Sequence, residues 1–139
     1  MINTALLYPV LALIGWTFVM WLWLYVTRIP AIQAANIDFD ELSRTGGALE
    51  LPARVTRVAD NYNHLHEQPT IFYALALTAA MFGVASGVAT TLAWLYVAIR
   101  IVHSLIHATS NPIFIRFIVF AIGSAVLFAF FLRVVSLVL

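Results

Sequence analysis

The sequence contains no cysteine and no lysine, and it carries little charge of either sign. Without cysteine, the chain can form no disulfide, no thiolate metal site and no cysteine nucleophile. Only 9% of the residues are charged and 63% are hydrophobic, whereas about a quarter are charged in soluble domains. This balance excludes an ordinary soluble domain and predicts an all-helical integral membrane protein. The net charge of +1 indicates little about partners, and we expect no nucleic-acid partner.

Long uncharged runs predict four membrane-spanning helices in one domain that covers residues 1–139. The first run alone provides 23 residues, enough at ~1.5 Å per residue to cross ~30 Å of hydrocarbon. Gly83 and Gly87 separate the second helix from the third, and Asn111 with Pro112 separates the third from the fourth. The segment of about residues 29–51 is expected to be a loop. The expected helices are at about residues 5–27, 52–82, 88–109 and 112–138.

Nearly all the ionisable side chains lie on one side of the membrane in this four-helix arrangement. That side has six of the seven arginines, all six carboxylates and all four histidines. Because arginine-rich loops remain on the cytoplasmic side, the polar layer should face the cytoplasm and both termini should lie outside. The membrane is expected to be a bacterial inner membrane.

A polar stripe follows each of the two middle helices. At 100° per residue, the stripe covers roughly 120° of the second helix and roughly 100° of the third. A charged group at membrane depth costs about 2.5–3.5 kcal/mol, so such groups usually turn toward protein and serve a function. We therefore expect the stripes to face each other. Their members are Arg57, Asp60, Asn61, His64, Glu67 and Gln68 on the second helix and Arg100, His103, Ser104 and His107 on the third.

Two other interpretations of these stripes remain open. The charges could form structural ion pairs, Arg57 with Asp60 and Arg100 with Glu67, that only hold helices together. The third helix also has two histidines at i, i+4, a spacing typical of metal or haem ligands. Because the neighbouring arginines would repel a cation, we predict no metal site.

The basic residues are all arginine, which favours one kind of ligand. Arginine presents a fork of donors that holds carboxylates at two points. A cluster of Arg28, Arg57, Arg100 and Arg116 beside Glu67 would suit a zwitterion with several carboxylates and an amine. Glutathione is such a molecule.

The run RVADNYNHLHEQP, from Arg57 to Pro69, resembles the signature segment of a known membrane family. This family, MAPEG, comprises membrane-associated proteins in eicosanoid and glutathione metabolism, including microsomal glutathione transferases and prostaglandin E synthases. On the third helix, Arg100, His103 and His107, with Arg116 nine residues on, are similar to its prostaglandin-synthase-like members, which have tyrosine in place of His107. Over nearly its whole length, the chain resembles a bacterial-type member.

The resemblance implies a homotrimer of four-helix subunits that binds glutathione between neighbouring subunits, with membrane lipids around it. It also implies a glutathione-dependent transferase or peroxidase that uses glutathione as co-substrate on lipophilic electrophiles. Glu67 would hold the glutathione amine, and Arg116 would act as the catalytic residue by stabilising the thiolate. The residues expected to bind glutathione are Arg28, Arg57, Asn61, His64, Glu67, Arg100, His103 and His107.

Three residues depart from the pattern of the family. His64 stands where the family usually has asparagine, three residues before the glutamate. Phe117 and Phe120 stand where prostaglandin-synthase-like members have hydroxyl side chains. These changes remove neutral donors near the sulfur, so an alternative function stays open. In that alternative, the protein is a non-catalytic lipid-binding or accessory subunit of a membrane complex.

Overall fold

The computed structural model describes residues 1–139, and its only regular structure is helical. Three helical segments are long and apolar enough to cross a membrane: Thr4–Ala34, Gly87–Ala108 and Ile113–Val138. The prediction of an all-helical integral membrane protein is therefore confirmed. The six α-helices are α1 (Leu7–Ala34), α2 (Phe39–Thr45), α3 (Ala53–His64), α4 (Gln68–Met81), α5 (Gly87–Ala108) and α6 (Ile113–Val138).

The second predicted helix, residues 52–82, is wrong as a single element. It is divided into α3 and α4. Pro69, in the first turn of α4, explains the break because proline has no N–H and its ring clashes with the carbonyl four residues back, that of Leu65. At the break, the Glu67 amide donates to the His64 carbonyl at 3.2 Å, a tighter turn than an α-helix makes.

The predicted loop over residues 29–51 is also partly helical. α1 continues through Pro30 to its end at Ala34, since proline removes only one hydrogen bond of the helix. α2 then forms because the Asp38 side chain accepts hydrogen bonds from two amides of its first turn, at 3.0 and 3.1 Å. Gly46, with φ of 69°, ends α2 in the left-handed conformation that glycine adopts readily. The connection from α1 to α3 therefore contains the short helix α2 and is not a plain loop.

The larger apolar core occupies one half of the long helices, and a smaller apolar cluster lies in the other half, which also holds the polar stripes. Leu13 of α1, Phe72 of α4, Tyr96 of α5 and Phe130 of α6 are all fully buried in the larger core. Small residues line much of this core and allow the helices to approach closely, the usual mode of helix packing in membranes. These small residues are Ala76, Ala79, Ala80, Ala89 and Ala93. Large apolar side chains cover the outside of the helices, as expected for contact with lipid.

The turn between α4 and α5 is held by the first residues of the chain. The Asn3 amide donates to the Ala80 carbonyl at 3.0 Å, and the Asn3 side chain donates to the Val84 carbonyl. Gly83 in this turn has φ of 69°, and a Cβ there would lie 2.5 Å from the Met1 carbonyl oxygen. Only glycine fits this position without a shift of the backbone.

We expect Gly83→Ala to lower the free energy of unfolding by about 1–3 kcal/mol, because it adds both backbone strain and a clash with main chain. Gly15→Ala is the control. Gly15 lies within α1 with nothing within 4 Å of a new Cβ, so this change should be neutral or slightly stabilising. Thermal unfolding of both variants in detergent would measure the difference. Equal unfolding temperatures would show that the Gly83 turn is not constrained.

Candidate functional site

The polar stripes of α3 and α5 face each other. The Asn61 side chain of α3 donates from Nδ2 to Ser104 Oγ of α5 at 2.6 Å. The ring centroid of His64 lies 5.2 Å from that of His103 and 5.8 Å from that of His107. The α5 residues of this group are all buried. One cluster of amide, hydroxyl and imidazole groups therefore joins the two helices.

A polar cavity of about 450 Å³ opens beside this cluster. Its volume falls within the range of about 300–1,000 Å³ that is usual for small-molecule sites. It combines two carboxylates, an arginine and neutral polar groups, so it can accommodate a ligand with both positive and negative charges. Its six lining residues, none of them hydrophobic, are Asp60, Asn63, His64, Glu67, His107 and Arg116.

An apolar cleft of about 240 Å³ adjoins the polar cavity. The two spaces share His64 and Arg116, while the cleft alone is lined by Ile113, Phe117, Phe120 and His103. Phe117 is two-thirds exposed on the outer face of α6. A charged ligand in the cavity and an apolar molecule in the cleft would therefore meet beside His64 and Arg116.

The guanidinium of Arg100 is buried without a partner. Arg100 is 1% exposed, and all three of its side-chain nitrogens lack a hydrogen bond in the chain. The Asn61 Oδ1, His103 Nδ1 and His107 Nδ1 atoms are likewise buried and unpaired. Because a buried charge without a partner is strongly destabilising, an anionic group that reached this cluster would be stabilised there.

The structural ion pairs considered from the sequence do not form. The only contact within 4 Å between a carboxylate and a basic side chain is the hydrogen bond of His64 Nδ1 with Glu67 Oε2, at 2.8 Å. Arg57 instead donates from Nη1 to the Thr109 carbonyl at 2.9 Å, which ties α3 to the end of α5. Histidine and carboxylate side chains also form no three-membered group that could hold a metal ion.

Arg116 is held at the junction of cavity and cleft by Asn111. Its Nη1 donates to Asn111 Oδ1 at 2.6 Å. Asn111 has φ of 51°, a left-handed conformation that asparagine tolerates, in the link between α5 and α6. The sequence identified Asn111 only as a residue that ends a helix, because nothing in the pattern showed that its side chain turns toward Arg116.

Gln68 connects three helices next to the site. Its Oε1 accepts from the Tyr96 hydroxyl at 3.2 Å, and its Nε2 donates to Ser124 Oγ at 2.8 Å. Ser124 in turn donates to the Phe120 carbonyl at 2.9 Å. The predicted polar stripe of the second helix included Gln68, whereas Tyr96 and Ser124 lie outside both predicted stripes. This network fixes the start of α4 against α5 and α6.

Four of the predicted ligand residues line neither space, and Arg28 is the one of them that lies outside α3 and α5. It lies half-buried on α1, lines neither the polar cavity nor the apolar cleft, and makes no side-chain hydrogen bond within the chain. The structure thus groups His64, Glu67, His103, His107 and Arg116 around the two spaces. Arg57, Asn61 and Arg100 line neither space. They lie on α3 and α5, the helices that also carry His64, His103 and His107.

The sequence matches the MAPEG family over residues 6–136, nearly the whole chain. The protein therefore belongs to the MAPEG family, as the resemblance over its second and third predicted helices indicated. No curated protein and no solved structure matches the chain. Membership in this family is compatible with roles in glutathione-dependent transfer or in eicosanoid metabolism.

Proposed function

We propose that this protein binds glutathione in the polar cavity and uses the glutathione thiol in a transferase or peroxidase reaction on a lipophilic electrophile. The observation that carries the proposal is the polar cavity, which brings Glu67, His64 and Arg116 together beside α5, the helix that also holds the buried, unpaired guanidinium of Arg100. Arg100 does not itself line the cavity, so a carboxylate of glutathione would have to penetrate beyond the lining residues to supply the anion that this group lacks. The other polar groups of glutathione would form hydrogen bonds with the unpaired atoms of Asn61, His103 and His107.

Two charged residues of the cavity, Glu67 and Arg116, suit parts of glutathione, whereas the exposed carboxylate of Asp60 has no part of the ligand assigned to it. Glu67 uses Oε2 for His64, which leaves Oε1 for the ammonium group of the ligand. Arg116 lies where the cavity meets the apolar cleft, so the thiol belongs beside it. A free thiol has a pKa of about 8.5, and an adjacent guanidinium lowers it and raises the concentration of the thiolate nucleophile.

The apolar cleft supplies the route for the second reactant. Phe114 and Phe117, at the start of α6, are 74% and 66% exposed on a face that large apolar side chains cover. A lipophilic electrophile dissolved in the bilayer could therefore enter past Phe117 and reach the thiolate without crossing water. Conjugation and peroxide reduction would both start from this thiolate.

Calorimetry on the protein in lipid nanodiscs tests the ligand. We expect saturable binding of glutathione, and binding at least tenfold weaker for its diethyl ester. The ester keeps the shape of the ligand but removes two charges, and a hydrogen bond to a charged group contributes about 1.5–3 kcal/mol. Equal binding of the ester would contradict the proposed role of the arginines. If glutathione does not bind at all, the non-catalytic lipid-binding or accessory function replaces the proposal.

The proposal includes a four-span topology in which α3 and α4 together make the fourth crossing. The polar cavity then faces the cytoplasm, in a bacterial inner membrane, and both termini lie outside. Cysteines introduced at the exposed residues Ser43 and Ser136 should react with an impermeant reagent from opposite sides. Labelling in sealed vesicles, compared with lysed ones, would measure this. Because the chain has no cysteine of its own, labelling from one side only would exclude the four-span topology.

A homotrimer is the remaining part of the proposal. Arg28 lies away from the cavity of its own chain, so it would join a glutathione site only if that site lies between subunits. A neighbouring chain would also cover polar groups of α3 and α5 that one chain leaves open. Native mass spectrometry in mild detergent would count the subunits.

A further inference from the structure

His64 and Glu67 form a hydrogen-bonded pair at the junction of the two spaces. The distance from His64 Nδ1 to Glu67 Oε2 is 2.8 Å. A carboxylate only accepts hydrogen bonds, so Nδ1 carries the hydrogen in this contact, and Nε2 is the nitrogen that can exchange a proton with a reactant. His64 lines both the polar cavity and the apolar cleft, so its ring borders both of the proposed reactants.

The other three histidines lack this combination. His103 and His107 have buried, unpaired Nδ1 atoms, so no carboxylate sets which of their nitrogens carries the hydrogen. His66 does have a partner, because its Nδ1 donates to the Tyr62 carbonyl at 2.8 Å. His66, however, is exposed and lines a separate cavity against α1. Only His64 is both oriented by a carboxylate and placed where cavity and cleft meet.

We propose that His64 is the general base and acid of this site and that Glu67 is the residue that positions it. This inference rests on the proposed binding of glutathione. The carboxylate fixes the tautomer of His64 and stabilises the imidazolium that forms when Nε2 accepts a proton. Arg116 then stabilises the thiolate from the other side of the junction. Two groups therefore share the activation of the thiol.

The step can be written for addition of glutathione to a lipophilic enone. Nε2 of His64 takes the proton of the thiol, and the thiolate sulfur forms a bond to the β-carbon of the enone. The π electrons of the carbon–carbon double bond move to give an enolate. The enolate takes the proton back from His64, which completes the addition of S–H across the double bond. No oxidant, reductant or leaving group is needed.

His64→Asn is the informative substitution because asparagine is the residue usual in the family at this position. It keeps a polar side chain of similar reach but cannot exchange a proton. We expect the affinity for glutathione to change less than about threefold and kcat with the enone to fall roughly 10²-fold, the lower end of general acid–base contributions. His64→Ala should lose activity similarly and regain part of it when imidazole is added.

His66→Asn is the matched control. It makes the same chemical change two residues away, in a side chain that lines another cavity, so turnover should stay at the wild-type value. Glu67→Gln tests positioning, because it keeps an acceptor for His64 but removes the charge. At saturating glutathione, we expect its kcat to fall about tenfold, a smaller loss than in His64→Asn. Addition of imidazole should not restore it.

Proton counting distinguishes the proposal from activation by Arg116 alone. Calorimetry in buffers of different ionisation enthalpy counts the protons released when glutathione binds, and ultraviolet absorbance detects the thiolate. If His64 keeps the proton, the thiolate signal forms in the wild type with no net release. A full proton released, wild-type turnover in His64→Asn, or loss of glutathione binding in that variant would each overturn the proposal. Absence of binding heat in the wild type would instead overturn the proposed function, and this inference with it.

Discussion

Arg100→Met should make the unliganded protein more stable and at the same time abolish useful glutathione binding. The guanidinium of Arg100 is 1% exposed and has no hydrogen-bond partner in the chain. A charge in this state destabilises the protein by several kcal/mol, even after relaxation and water penetration. Methionine has a similar length and no charge, so it should remove the penalty and pack among the same helices.

The loss of binding has the same origin. If a carboxylate of glutathione pairs with Arg100, removal of the guanidinium forfeits about 1.5–3 kcal/mol per charged hydrogen bond, or roughly 10- to 150-fold in affinity for one bond. Thermal unfolding with and without glutathione would show both effects, since only the wild type should gain stability from the ligand. Arg44→Met, at an exposed position of α2, is the control and should change neither quantity.

A loss of stability in Arg100→Met would have a different meaning. It would show that a group outside the single chain already pairs with Arg100 before glutathione binds. The neighbouring subunit of the proposed trimer would be the source of that group. In that case the buried charge belongs to the assembly, and the ligand must be held by the remaining arginines.

Arg116→Ala should affect chemistry far more than binding. We expect kcat/KM with a lipophilic electrophile to fall roughly 10²-fold, the size of the effect when one donor to a developing oxyanion is removed. The affinity for glutathione should fall less than about tenfold, because the carboxylates and the amine of the ligand have other partners. The pKa of the bound thiol should rise toward its free value, since the adjacent cation is gone. Thiolate absorbance against pH would measure this shift directly.

Substitutions of Asn111 test how much the orientation of Arg116 contributes to turnover. Asn111→Gly keeps the positive φ accessible but removes the oxygen that accepts from Arg116 at 2.6 Å. Turnover should fall, but less than in Arg116→Ala, because the guanidinium stays present and only loses its orientation. Asn111→Asp keeps the acceptor and should stay closer to the wild type. Full activity in Arg116→Ala would exclude Arg116 from the stabilisation of the thiolate.

The long helices could be predicted from the sequence because their apolar runs leave no other stable arrangement in a bilayer. The ends of α5 and α6 lie within about one residue of the prediction. The break between α3 and α4 was missed, although Pro69 marks it, because the polar stripe continued on both sides. α2 was missed because a seven-residue helix has almost no periodic signal, and its caps, Asp38 and Gly46, were read only as loop residues.

The sequence predicted which helix faces form the site, but it did not predict which side chains pair there. Helical spacing was sufficient to predict that His103 and His107 face α3, because four residues is close to one turn. Spacing could not show which polar groups pair, so an ion pair of Arg100 with Glu67 stayed open as an alternative, whereas Glu67 binds His64. Contacts between distant segments, such as Gln68 with Ser124, depend on packing that no local pattern records.

The shortness of α4 has a consequence for the surrounding lipid. Its 14 residues span about 21 Å at ~1.5 Å per residue, less than the ~30 Å hydrocarbon layer of a typical bilayer. In the four-span topology, the polar break at residues 65–67 therefore lies below the level of the lipid headgroups. The bilayer must thin beside α4, or water must enter there, to match the protein. The stability of the protein should therefore depend on acyl chain length. Lipids with longer chains should increase the mismatch beside α4, and lipids with shorter chains should reduce it.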